Sequence, residues 1–352
     1  MSIVDSMSKV GVYADVPNLY RTGGQRLQYD VLREFACRDA AEPLRLNAYA
    51  TFDVDRAKRD DQYRGGALSF HSKLRDYGYK VIVKEVSGDS DERSRDDALV
   101  DLAVDSLTQS ERLDRVLIAS GERDLIKVVR SLQARGCRVE IVALDDCSPE
   151  LREEADLFIP GHLIPNLVPI GGRPAPAKRD EWGEVGSRVR GWAYWFEQER
   201  GFGYMRFLKT VDPGLWLTDA RHPDSPYETA FFRSVHVPQH VRAERLPGRS
   251  YVFEFTLEPS EKNEGLQATE IEVVAYLSEP RAELGNAQQS GAFQRRESGT
   301  FRSGGYQRRD SGGHPSGGQG QSGSYPRRDS GSHRPVESQH DETDEVFEDD
   351  DA

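Results

Sequence analysis

Acidic residues recur in this sequence at points where a fold could gather them. Asp15 closes the apolar run VGVYA, and Asn18 follows three residues later in ADVPNLY. Asp97, Asp101 and Asp105 occupy every fourth position of DDALVDLAVDSL, which sets them in one stripe along a helix. Glu122 and Asp124 follow the run VLIAS in SGERDL. Carboxylates in such a set can hold hard divalent cations, Mg²⁺ or Mn²⁺, which prefer oxygen ligands and keep some of their water. A metal held in that way lowers the pKa of water and stabilises charge on phosphorus, so the chemistry would be phosphodiester hydrolysis. The carboxylates can also take a proton.

A plainer reading competes with this one. Acids after strands commonly cap helices, and an acid stripe on a helix commonly faces solvent. Two features of the stripe weigh against it. No Lys or Arg stands four residues beyond any of its aspartates, and like charges at that spacing cost about 0.2–0.5 kcal/mol per pair. The remaining helix positions (Ala98, Leu99, Val100, Leu102, Ala103, Val104, Leu107) are apolar nearly all round, as in a covered helix. Covered charge is costly unless a cation neutralises it. Asp101 is expected to be the main ligand, because Asp97 falls at the helix start and Asp105 lies deeper.

The elements that would position these acids alternate. VGVYA, LNAYATF, KVIVKEV, RVLIAS, RVEIVAL and DLFI read as buried strands. Helical patterns lie between them at Tyr29–Cys37, Gln62–Tyr77, Asp97–Leu107, Leu125–Arg135 and Pro149–Glu154, with Gly78 and Gly136 placed to end two of them. Strict alternation with near-continuous apolar strands predicts a three-layer α/β/α domain around a mostly parallel sheet. In such sheets, sites form at the carboxyl ends of the strands, where Asp15, Glu122 and Asp124 fall.

Residues 1–167 make up this first domain, and a Pro/Gly/charged linker follows at 168–187. Residues 188–277 then read as short strands without a helix, rich in aromatics, which predicts a small β-barrel. Phe202 and Tyr204 alternate and so share one face. Trp195, Phe202, Tyr204, Phe231 and Phe232, with Arg200 beside them, are candidates for stacking and holding single-stranded nucleic acid. The alternative is that the rings fill the barrel core, which is the expectation for Trp192, Tyr194 and Phe196. Residues 278–352 carry the unit RR-(E/D)-S-G three times and end in DETDEVFEDDDA. That composition predicts a disordered tail whose arginines can meet phosphates and whose Tyr306 and Tyr325 can stack.

With 352 residues, the chain has room for two or three domains. Its net charge of −13 is a poor guide to partners, because the acid is concentrated in particular places, notably the last dozen residues. Cys37, Cys137 and Cys147 lack metal or disulfide spacing, and no apolar run is long enough to span a membrane. A cytosolic protein with reduced thiols is expected. A homo-oligomer is compatible with the sequence. No P-loop, GxGxxG or Ser-His-Asp set is apparent.

The order of motifs carries a resemblance. D-x-x-N-L after the first strand, an Asp-bearing helix and then SGERDL resemble the NYN family, a PIN-like nuclease fold, and ELREEADLFI resembles its closing segment. By position, the resemblance implies Asp15, an acid of the central helix and Asp124 as metal ligands, with Glu122 beside them. Asn18 and Ser120 would orient phosphate or metal-bound water. The chain departs from the pattern at Glu122 and Leu125, where the family favours Asp and Phe. It departs again at Leu99, six residues before Asp105, where the family usually has Asp; Asp97 or Asp101 could substitute. GWAYWFEQERGFGYM resembles the cold-shock signature: Trp195 and Phe196 match its W-F, and Arg200 to Tyr204 match its K-G-F-G-F. AFFRS resembles its second aromatic motif without the usual His, and LPGRSYVFEF and LQATEIEV resemble its closing strands, with an insertion at Asp212–Tyr227.

Together these readings predict a metal-dependent endoribonuclease acting on single-stranded RNA, with single-stranded DNA as a second ligand. The alternatives are a non-catalytic RNA-binding regulator on a nuclease-like fold and a structural hub whose tail gathers partners.

Overall fold

The computed structural model describes residues 7–23, 26–87, 91–170, 182–211, 214–260 and 265–277, with backbone alone for 91–96. The expected tail and the middle of the expected linker lie outside these residues. Six strands, β1 (Lys9–Asp15), β2 (Glu42–Asp53), β3 (Lys80–Val86), β4 (Arg115–Ala119), β5 (Arg138–Ala143) and β6 (Leu157–Pro160), form one parallel sheet. Its order is β3-β2-β1-β4-β5-β6. The central β4 is buried along its whole length, as a parallel strand covered on both faces must be.

Alternate residues of the strands feed two cores. Val12, Ala14, Ala48 and Leu117 face one way with α2 (Tyr29–Ala36) and Leu74 of α4 (Asp61–Asp76). Tyr13, Tyr49, Val116 and Ile118 face the other way, toward α5 (Asp91–Thr108), α6 (Ile126–Ala134) and Leu151 of α7 (Pro149–Glu154). The three-layer α/β/α expectation holds. Gly78 and Gly136 have the positive φ of helix-ending glycines.

Two six-residue helices, α1 (Val16–Arg21) and α3 (Val54–Arg59), were not predicted. Each starts on an aspartate that ends a strand, Asp15 or Asp53, whose side chain accepts a hydrogen bond from a backbone N–H three residues on. Helix α5 begins at Asp91 rather than Asp97. Asp97 therefore sits inside the helix, and the reason for ranking it below Asp101 does not stand. The helix is not covered all round either, since Val100 and Val104 are exposed.

Strands β7 (Arg188–Glu197), β8 (Phe202–Leu208), β9 (Tyr227–Arg233), β10 (Tyr251–Pro259) and β11 (Leu266–Tyr276) close into a barrel ordered β10-β11-β9-β8-β7. Neighbouring strands are antiparallel except β9 and β11, which run parallel. This arrangement is compatible with an OB or cold-shock-like barrel. Its core is Val189, Met205, Phe207, Phe232, Phe253 and Phe255 with their neighbours.

Barrel and sheet share packing. Leu208 and Leu215 join the first core of the sheet domain, and Leu163 and Phe158 pack with Trp192, Val252 and Leu277. The ends of the linker are anchored as well. Arg190 donates to the carbonyls of Val168 and Pro169, and the buried Trp182 donates its ring N–H to Leu208. Glu254 accepts from both Arg188 (3.0 Å) and Arg190 (2.9 Å); Glu254 and Arg190 are buried and Arg188 is nearly so. Removing one partner of a buried pair leaves an uncompensated charge at a cost of about 3–5 kcal/mol. Glu254→Gln is therefore expected to destabilise the protein by about that amount in urea unfolding. An unchanged midpoint would show that these arginines are solvated.

Candidate active site and nucleic-acid interface

The sheet order reverses between β1 and β4, and in open parallel sheets ligands bind at such a switch point, outside the carboxyl ends of the strands. Asp15 ends β1 there and is 5% exposed. Its Oδ1 accepts from the backbone N–H of Asn18 (3.1 Å), and its Oδ2 accepts from Ser120 Oγ (2.8 Å) just beyond β4. Asn18 bridges the two loops: Nδ2 donates to Glu122 (2.8 Å), and Oδ1 accepts from the Gly121 N–H (3.1 Å). Gly121 leaves little room for a side chain, because a Cβ would stand 3.0 Å from Cys147 Cα in the loop after β5.

Burial pushes the Asp15 carboxyl up to about 6, against the hydrogen bonds from Ser120 and Asn18; the Glu122 charge adds to the rise and Arg21 opposes it. Arg21 itself was not predicted. It reaches Glu122 at 2.6 Å and Asp146 at 3.3 Å, joining the loops after β4 and β5. Its position three residues after Asn18, on the same face of α1, is the signal that could have found it.

The helix stripe finds other partners. Asp101 pairs with Lys84 of β3 at 2.8 Å, and Asp105 accepts from the Tyr49 hydroxyl at 2.9 Å. Asp97 is exposed. Asp124 is exposed on the 3-10 turn Arg123–Leu125 and makes no hydrogen bond or ion pair with the Asp15 group. Among the described residues, no three His, Cys, Asp or Glu side chains gather to hold a metal. One hydrogen-bond network thus joins Asp15, Asn18, Ser120 and Glu122, and Asp101 and Asp105 have partners outside it.

The donor set at the switch point still suits a hard cation. It is all oxygen, and no cation among the described residues touches its buried carboxylate directly. Mg²⁺ commonly takes one or two carboxylates and completes its shell with water and phosphate. Asp15 and Glu122 fit that role.

On the barrel, Trp195, Tyr204 and Phe231 lie in one row across β7, β8 and β9. Trp195 stands 5.4 Å from Phe202 and 5.8 Å from Tyr204, and Phe231 stands 5.8 Å from Phe202, centroid to centroid. These rings form a continuous, partly exposed platform, and Arg200 is exposed on the turn that precedes β8. Two expectations are corrected. Phe232 is fully buried and stacks on Phe196 in the core, because neighbours along a strand point to opposite faces and Phe231 faces out. Tyr194 is not core: the register shifts between Ala193 and Trp195, and both Tyr194 and Trp195 are 38% exposed. Gly203 lies beneath Phe232, where a Cβ would come within 2.7 Å of the ring.

The six-stranded parallel sheet, its helices and the acid-lined switch point define a PIN-like nuclease fold. Within that class, residues 9–165 match the NYN domain. Nucleases built on this domain generally depend on divalent metals, and the family suggests an RNA substrate. Among solved structures, a protein of unknown function from Vibrio parahaemolyticus is similar, with 25% identity over 45% of this chain and 95% of that one, at a TM-score of 0.37. Comparison with curated proteins gives no match.

Proposed function

We propose that the protein is a Mg²⁺- or Mn²⁺-dependent endoribonuclease for single-stranded RNA, with the barrel capturing the strand. The observation that carries this reading is the buried Asp15 carboxylate, held by Ser120 and Asn18 at the switch point with Glu122 beside it. Asp15 and Glu122 would hold the metal, which supplies water activation and charge stabilisation at phosphorus. Asn18 keeps Glu122 and Gly121 in place, and Ser120 fixes the Asp15 oxygen that it contacts. Trp195, Phe202, Tyr204 and Phe231 offer stacking faces of the kind that hold unpaired bases with little regard to sequence.

A second reading has its own support. Lys84 holds Asp101 and Arg21 holds Glu122, so protein cations already neutralise two of the acids. That arrangement favours an RNA-binding regulator that does not cut. Labelled single-stranded RNA incubated with the full chain separates the two. Internal cleavage that requires Mg²⁺ or Mn²⁺ and stops in chelator is expected. RNA bound but left intact at every metal concentration would establish the regulator instead.

A further inference from the structure

The aromatic surface of the barrel continues past the platform. Next to the row Trp195–Tyr204–Phe231 lies the row Trp192–Arg206–Thr229, on the same outer face of β7, β8 and β9. The Arg206 guanidinium lies 4.2 Å over the Tyr194 ring, and that of Arg249 lies 5.2 Å over Trp192. Trp192 meets Tyr227 edge-on at 6.1 Å. Beyond them opens a groove of about 550 Å³ between the barrel and the sheet domain. Its far wall comes from α7 and β6, where Arg152 lies 5.7 Å over Phe158, and Trp216 stands at its side, 72% exposed.

Three arginine-on-ring pairs in succession therefore lead from the platform to the NYN domain. The volume falls in the range of built ligand sites, which favour domain junctions and apolar walls with a few polar groups. Rings and apolar walls take bases, while guanidinium groups take phosphate oxygens. The charge balance suits a polyanion. Asp219 is held by Arg221 at 2.8 Å and Glu228 by Lys209 at 3.0 Å. Arg206 and Arg249 form no ion pair among the described residues. Glu153 is the one acid among the residues lining the groove.

We propose that this groove is a second nucleic-acid segment, which takes the nucleotides leaving the platform and leads the strand toward the NYN domain. The proposal rests on the platform reading, and oligomer length separates the two. Binding of oligouridines of about four and about sixteen nucleotides, the span of single OB-fold sites, is measured by anisotropy on the full chain, its Arg249→Glu variant and its Trp216→Ala variant. Both substituted side chains are exposed, so folding is not at stake. The short oligomer is expected to bind all three proteins alike. The long one should bind the unsubstituted protein at least about tenfold tighter, Arg249→Glu should remove most of that gain, and the salt slope should fall by roughly one. Trp216→Ala should remove a smaller part. A length gain kept in full by both variants, or no gain in the unsubstituted protein, overturns the groove and leaves the platform standing. Failure of both oligomers to bind overturns both.

Discussion

Asp15→Asn protein is expected to lose RNA cleavage by more than about a hundredfold, yet to be more stable than the unsubstituted protein at pH 8. The outer partners of metal ligands are worth about 10–100-fold in affinity or activity, so the ligand itself should be worth more. The stability gain follows from burial. The Asp15 carboxyl rises from 3.8 to about 6, roughly two pKa units at about 1.4 kcal/mol each. Its folded-state pKa lies above the unfolded one, so its favourable contribution is complete below about 3.8 and is lost as pH rises through about 6. At pH 8 the folded protein carries the full cost of a buried charge, on the order of 3 kcal/mol. Asparagine can still accept from the Asn18 N–H and removes that charge. Its advantage should reach on the order of 2–3 kcal/mol at pH 8 and shrink toward pH 4. Mg²⁺ or Mn²⁺ should raise the melting temperature of the unsubstituted protein and leave that of the variant unmoved. Equal stabilisation of both by metal would place the cation elsewhere.

Replacing Phe202 and Tyr204 together by Ala should weaken single-stranded RNA binding by roughly 2–6 kcal/mol, the sum of two stacked bases. Both rings are half-buried on the outer face and contact Trp195 and Phe231 rather than the barrel core. The variant should therefore keep its β-sheet circular dichroism. Stacking tolerates salt better than phosphate pairing does, so the loss should persist at high ionic strength. A folded double variant with unchanged affinity would show that RNA does not use this face.

The sheet domain was legible because its strands are buried on both faces and so read as unbroken apolar runs. Helices α1 and α3 were not, since each begins directly on the aspartate that ends a strand, with no turn to set it apart. The two readings of Asp15, helix cap and site acid, are compatible: its carboxylate caps α1 while standing at the switch point. The helix stripe has a protein partner that the sequence does not show. The partner of Asp101 is Lys84 on another strand, and a search for cations along the helix cannot see it. Phe231 and Phe232 were both expected at the ligand face, although strand geometry allows only one of two neighbours there. The displaced Tyr194 depends on a register shift, which leaves no mark in composition.

The packing between barrel and sheet bears on the products. Leu208 and Leu215 sit in the same core as β1 and β4, so the bound end of an RNA and the cutting site would be separated by a fixed span, with no swinging tether between them. On the proposed function, an enzyme built in that way would work as a ruler. Its fragments would cluster at one length measured from the captured segment, whatever bases lie at the cut.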